Sequence, residues 1–294
     1  MAARTLLTVA PTGAEVDKAA VPALPVTLTE LVDTARTCAA AGAAVIHVHV
    51  RDAAARPTLD LGRLAETVAA LREETDLVVQ LSTGGAVSDG YADRLRVLDA
   101  EPDSCSLTMG TVNFGDEVFL NPWPFVVELY RRAREREVVP EFELFDLGHV
   151  AALHRLLDQE GLPYGGAVHC DLVLGVPGGM PGTPATLVAA VAALPAAVTS
   201  WSATGIGRST LPVALTALAC GGHLRVGMED TVTFAPGQRV RDNAQLVARA
   251  AALAELAQRP PMPVAEARAL LRVRDRRPGP AHRQEPVGGD VRGA

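Results

Sequence analysis

Lysine is almost absent: Lys18 is the only one, and arginine supplies the rest of the 27 basic residues. A Schiff-base aldolase needs a lysine in an apolar pocket that lowers its pKa, and Lys18 sits in a loop with no such pocket. Aromatic residues are scarce too, at 4%. No basic stripe is interleaved with aromatics, and the net charge is −7, which excludes nucleic acid as a partner. No apolar run is long enough, or free enough of Gly and Pro, to span a bilayer, so no membrane partner is expected. The segment Met1–Ala10 lacks the apolar region and cleavage site of a signal peptide, and a cytoplasmic location follows. The four cysteines, Cys38, Cys105, Cys170 and Cys220, contain no CxxC pair. They read as reduced, mostly buried small apolar residues.

What is present is a globular chain of 294 residues, 48% hydrophobic and 21% charged, long enough for a large core. Short β-rich runs alternate with helical stretches. The strands fall at Leu6–Ala10, Ala44–Val50, Leu77–Leu81, Ser104–Thr108, Val139–Leu144, Gly166–Leu174, Ala197–Ala203 and His223–Val226. Helical periodicity occupies Thr29–Ala41, Leu61–Glu73, Pro124–Arg136, Val150–Gln159, Thr186–Leu194, Leu211–Cys220 and Asn243–Gln258. The first helix opens on a capping box, Thr27-Leu-Thr-Glu30, and stops at Gly42. Strand then helix, eight times over, predicts a parallel α/β fold. A doubly wound sheet is the alternative. Polar residues recur at the C-terminal ends of six of the strands, and a single-domain (β/α)8 TIM barrel would gather all of them at one mouth. The barrel is expected to span residues 1–271. The tail, 272–294, holds six Arg, three Pro and four Gly with no apolar periodicity, and is expected to be disordered.

His47-Val48-His49 closes the second strand. Residues i and i+2 of a strand share a face, roughly 6–7 Å apart, so both imidazoles can reach one ion at about 2.0–2.1 Å. The bland alternative is two polar residues satisfied inside a barrel. A catalytic Zn²⁺ takes three protein ligands and keeps one position open. The third candidate is Glu229, in Arg225-Val-Gly-Met-Glu229-Asp230, because the eighth strand neighbours the first and the first neighbours the second. Its bland reading is a solvated acidic pair. Arg225 and Asp230 flank this ligand, and a carboxylate beside a cation and an arginine is expected to have a depressed pKa.

Other polar groups stand at the mouth. Thr12-Gly-Ala-Glu15 and Ser82-Thr83-Gly84-Gly85 contain small residues whose backbone N–H groups could meet a carboxylate, although tight turns would need the same glycines. The fourth strand ends on Ser106 and Thr108, and Glu141 and Glu143 share a face of the fifth. Gly205-Ile-Gly-Arg208 follows the seventh, where barrels often bind phosphate, which makes Arg208 a candidate for a phosphate of CoA. His149, His154, His169, His223 and His282 are read as structural or surface residues.

Seven segments together, APTGAE at 10–15, AVIHVHVRD at 44–52, LSTGGA at 81–86, GTVNFG at 110–115, VLGVPGGM at 173–180, GIGR at 205–208 and GGHLRVGMED at 221–230, resemble the β-keto acid cleavage enzymes. The resemblance runs from about Leu6 to Leu271. It implies a zinc-dependent barrel, one Zn²⁺ per subunit, usually a homotetramer. It also implies condensation of a β-keto acid with acetyl-CoA, giving acetoacetate and a new acyl-CoA, as in lysine degradation. By the same resemblance His47, His49 and Glu229 match the zinc ligands, and Asp230, paired with Arg225, matches the base. Ser82, Thr83, Gly85, Thr108 and Glu143 match the substrate-binding positions. Glu15 matches the acid that meets an amino group, as on 3-keto-5-aminohexanoate; a carboxylate in a partly dry pocket prefers a positive partner. A metal-dependent hydrolase of the amidohydrolase type, or an inactive metabolite-binding barrel, are the competing classes. The former carries its His-x-His on the first strand and adds histidines on the fifth and sixth.

Overall fold

In the computed structural model, which describes residues 3–276, eight parallel strands close into a barrel. They are β1 (Leu7–Val9), β2 (Val45–Val48), β3 (Val78–Leu81), β4 (Ser104–Thr108), β5 (Val139–Leu144), β6 (His169–Leu174), β7 (Ser200–Gly205) and β8 (His223–Val226). Closure is set by β1, which pairs Thr8 with Val45 on one side and with Arg225 on the other. The doubly wound alternative is thereby excluded.

Nine helices are found among the described residues: α1 (Leu28–Ala40), α2 (Leu61–Glu74), α3 (Tyr91–Arg96), α4 (Trp123–Glu135), α5 (Leu147–Glu160), α6 (Pro184–Ala192), α7 (Thr210–Ala219), α8 (Asn243–Leu256) and α9 (Val264–Leu271). Thr27 caps α1 through the expected box with Glu30. The sequence reading lacked α3 and α9, both short.

The alternation along the strands divides the molecule in two. Outward residues such as Val9, Ile46, Val79, Leu107, Phe142, Leu172 and Leu224 join helix residues such as Val68, Leu129, Leu153, Val213 and Leu246 in one apolar cluster. That annulus is the hydrophobic core. Inward residues are polar instead: His47, Gln80, Ser104, Ser106, Glu141, Glu143, His169, Asp171, Ser202 and Arg225 are all buried. They bond one another; His169 contacts Ser200 and Ser202, and Thr204 donates to Asp171 at 2.6 Å. The bottom of the cylinder is sealed by α9, which packs Ala267 and Leu271 on Leu6, Val45 and Val78.

Three strands shift a boundary by two residues or more. β2 ends at Val48, and Val50–Arg51 instead pairs antiparallel with Pro57–Thr58. The Arg51 guanidinium drives this by donating to Gly13 O, Val16 O and Ala55 O. β6 starts at His169 because Gly165 and Gly166 turn the chain at positive φ. β7 starts three residues and ends two residues later than expected, after a turn in which Val198 N–H donates to Pro195 O. Of the expected tail, Arg274 pairs with Glu137 and Arg276 donates to the Arg136 carbonyl. Residues 277–294, with His282, lie outside the described residues.

His223 shows what the polar interior demands. Its Nδ1 accepts from the buried Leu6 N–H at 3.0 Å, so the ring must stay neutral. Burial pushes its pKa down to about 3, with His169 and Arg259 adding to the effect. The unfolded imidazole protonates near 6.5, so stability is complete above that pH and declines as pH falls toward 3. Urea unfolding should show His223→Asn, which keeps an acceptor but cannot protonate, removing about 2 kcal/mol of the stability lost between pH 7 and pH 5.

Candidate active site

The floor of the mouth is built by the end of β2 and the turn after β8. His47 is the last inward residue of β2, and His49 lies just past the strand's end. Their Nε2 atoms stand 3.3 Å apart. His47 Nδ1–H donates to Gln80 Oε1 at 2.5 Å, and Gln80 passes a bond to Ser104. This chain sets the tautomer, leaving the His47 Nε2 lone pair aimed at the mouth. The sequence reading missed Gln80. Its signal was a lone polar residue at an inward position of an apolar strand, paired in register with His47.

Glu229 arrives from the other side of β1. A Cβ on Gly227 would lie 1.8 Å from Ala10 O, so only glycine lets the turn cross β1 this closely. Glu229 N–H then donates to Ala10 O. Asn243 accepts from Met228 N–H and donates to Pro11 O, pinning the turn to β1. The result places Glu229 Oε1 3.8 Å from His47 Nε2 and Oε2 3.7 Å from His49 Nε2.

One donor atom from each of the three residues lies within 4.8 Å of the others, near enough for a small shift to bring all three to about 2.0–2.2 Å from one tetrahedral ion. Glu229 Oε2 is buried with no hydrogen-bond partner, an arrangement that calls for a positive charge beside it. Among the described residues, His47, His49 and Glu229 are the group able to hold a metal ion. Burial pushes His49 down to about 4, against the pull of Glu229, so its ring is neutral and can act as a donor. Burial also raises Glu229, but Arg225 and the two imidazoles overcome it and hold the carboxyl at about 2.

Arg225 joins this cluster to the acids behind it. Its guanidinium pairs with Glu229, with both oxygens of Asp230 at 3.1 and 3.4 Å, and with Glu143 at 3.3 Å. Thr108 Oγ1 donates to the other Glu143 oxygen at 2.7 Å. The expected depression of the Asp230 pKa supposed a bound cation as well as Arg225; the protein groups by themselves act, on balance, in the other direction. Burial pushes it up to about 6; Arg225 opposes the rise and the neighbouring Glu229 charge adds to it. Asp171, absent from the sequence reading, is likewise raised by burial and by Glu141.

A cavity of about 230 Å³ opens above. His47, His49, Ser82, Gly85, Thr108, Glu143, Arg225, Glu229 and Asp230 line it, with Glu15 at the exposed rim. Its upper wall is apolar, made by Phe114, Phe119, Phe145, Val173, Val176 and Ile206. Sequence reasoning missed this wall, of which Phe114 and Phe119 come from the hairpin Val112–Phe114/Glu117–Phe119. Two strand-like runs around Gly115-Asp116 were the available signal.

Two expectations fail, and one residue stands outside the cavity. Thr83 does not line the cavity; its N–H is taken by Ser106 Oγ and its hydroxyl by Ser106 O. The Gly84 N–H is held by Ser82, so this loop does not present a row of unengaged amides. Arg208 is exposed in a 3₁₀ turn outside the cavity. As for the competing classes, Lys18 is tied to Leu24 O and Glu30. His169 of β6 binds Ser200 and Ser202 and does not join the metal-capable trio.

A family profile for beta-keto acid cleavage enzyme matches residues 4–273. The chain belongs to this family. It is therefore an enzyme of carbon–carbon cleavage. A 3-keto-5-aminohexanoate cleavage enzyme of Acetoanaerobium sticklandii is 36% identical over 270 residues, covering 91% of this chain and 98% of that one. A 3-oxoadipate:acetyl-CoA acetyltransferase of Cupriavidus necator is 35% identical, covering 90% and 94%. The apo structure of ObcA shares the fold, with a TM-score of 0.75 at 20% identity over 86% of this chain and 66% of that one.

Gly13, at φ +64, tests the packing of this enzyme's site. A Cβ there would sit 2.7 Å from Glu229 Cγ. Gly13→Ala is expected to add about 1 kcal/mol of backbone strain and to push Glu229 off the histidine pair. Calorimetric titration with Zn²⁺ should show affinity weakened roughly tenfold or more; unchanged affinity would separate Gly13 from the site.

Proposed function

We propose that the enzyme condenses a β-keto acid with acetyl-CoA, releasing acetoacetate and a new acyl-CoA, and that it does so with one Zn²⁺ held by His47, His49 and Glu229. Two imidazoles and a carboxylate form a donor set suited to zinc with a position left open. When bound there, the ion supplies Lewis-acid polarisation of a carbonyl oxygen.

The observation that carries the reading is geometric: Asp230, adjacent in sequence to Glu229, lines the cavity beside the His47, His49 and Glu229 trio and is gripped by Arg225. A carboxylate so placed is positioned to act as base for the C–H proton between keto and carboxylate carbons. Arg225 holds both Asp230 oxygens and so fixes the direction from which the proton is taken. Ser82, Gly85, Thr108 and Glu143 bind and orient the keto acid from the opposite wall. The three phenylalanines, Val173, Val176 and Ile206 keep water from the reacting carbons, consistent with transfer to CoA rather than hydrolysis.

The substrate's side chain points to Glu15. Burial raises this carboxyl, and Glu117 nearby raises it further against Arg51. A positive group on the substrate would relieve both effects, which supports an amino-bearing keto acid such as 3-keto-5-aminohexanoate, giving 3-aminobutyryl-CoA. A homotetramer is supported by the outer faces of α6 and α7, which carry no charged residue and leave Val188, Leu211 and Leu215 exposed.

His49→Ala is expected to lose zinc and turnover together, read by metal analysis and acetoacetate release. Asp230→Asn should retain stoichiometric zinc while turnover falls about 10²–10⁴-fold. Zinc retained by His49→Ala would defeat the ligand assignment. A panel of β-keto acids with acetyl-CoA tests the substrate. Glu15→Gln should weaken use of amino-bearing acids by roughly tenfold or more and leave neutral ones nearly unchanged; equal losses would remove Glu15 from amine recognition.

A further inference from the structure

The apolar wall of the cavity hangs on a buried cation outside the proposed chemistry. The hairpin leaves β4 and crosses the mouth, where Gly115 N–H donates to Pro177 O of the loop after β6 at 2.9 Å. Its return arm ends at Asn121, whose N–H donates to Thr111 Oγ1 at 2.9 Å. Beneath that end lies Arg94 of α3, only 2% exposed. Arg94 Nε donates to Thr83 O at 2.7 Å, Nη1 to Leu120 O at 2.8 Å and Nη2 to Asn121 Oδ1 at 2.5 Å. Its guanidinium is sandwiched between the rings of Phe119 and Phe125, 4.6 and 4.3 Å from their centroids.

These are neutral partners around a desolvated charge, an arrangement that costs free energy unless every donor is used and the faces are stacked. Burial pushes the Arg94 pKa down to about 10, which leaves it charged at neutral pH. What it joins are two parts of the cavity that have no strand pairing between them. One is the loop Ser82–Gly85; the other is the hairpin that carries Phe119. The two also touch directly, since a Cβ on Gly84 would lie 2.6 Å from Phe119 Cζ.

We propose that Arg94 is the positioning residue that sets the aperture of the substrate cavity, by clamping the Ser82–Gly85 loop to the Phe119 arm of the hairpin. This rests on the reading of that cavity as the β-keto acid site. Arg94 acts through Ser82 and Phe119 and touches no reacting atom. Lysine cannot replace it, because three donors in a planar fork and two stacking faces are needed together.

The test compares Arg94→Lys and Arg94→Met with Arg268→Lys in the full-length protein. Arg268 is also buried but clamps Leu77 O and Asp103 at the closed end of the barrel. Amide exchange read by mass spectrometry should quicken about tenfold in peptides spanning 82–86 and 111–121 of both Arg94 variants, and not in α8. Arg268→Lys should leave those two segments alone. KM for the keto acid should rise roughly tenfold in Arg94→Lys with kcat changed less than about twofold, and should not rise in Arg268→Lys. Unchanged exchange in 111–121, an unchanged KM, or an equal KM rise in Arg268→Lys would each overturn the proposal. If the unaltered enzyme turns over no β-keto acid with acetyl-CoA, the functional reading fails, while the exchange data still decide whether Arg94 is the clamp.

Discussion

The site depends on one buried guanidinium surrounded by carboxylates. Arg225 touches Glu143, Glu229 and Asp230, and a planar fork of five donors is what allows one side chain to order three acids. Glu229 and Asp230 share this partner yet are driven in opposite directions. Glu229 also faces two imidazoles and is held low; Asp230 faces the charge of Glu229 and, deeper in protein, is pushed up. Two adjacent carboxylates are thereby given opposite electrostatic surroundings around one shared cation.

The same logic explains the inverted use of the barrel. Cylinders of this kind are commonly filled with branched apolar side chains, whereas here the inner face carries acids, histidines, serines and an arginine. Such a lining is stabilised where its members satisfy one another, as in the Gln80–His47, Thr204–Asp171 and Thr108–Glu143 bonds, while Thr8 Oγ1, Glu141 Oε1 and Asp171 Oδ1 stay buried without a hydrogen-bond partner. The apolar contribution to stability is displaced outward, into the annulus between strands and helices.

The barrel was legible in the sequence because its signal is periodic and repeated, and β4, β5 and β8 fall where the apolar runs place them. The histidine pair was legible for the same local reason, since i and i+2 share a face. Glu229 required only that the barrel close. The failures share a different cause, which is contact between residues far apart in the chain. Arg51 ends β2 by bonding the loop after β1. Ser106 of the neighbouring strand occupies the Thr83 amide. The direction of the Asp230 shift depends on how deeply the turn is buried. The hairpin roof is the exception: Gly115-Asp116 between two short alternating runs was a local signal.

The displacement of apolar packing to the outside of the cylinder has an evolutionary consequence. The residues that line the cavity are almost wholly distinct from those of the apolar annulus. A lineage can therefore rewrite the inner lettering without disturbing the annulus, provided that buried partners change together, since a lone change strands the group left behind. Divergence within this architecture is then limited by the pairing of inner polar groups rather than by apolar packing.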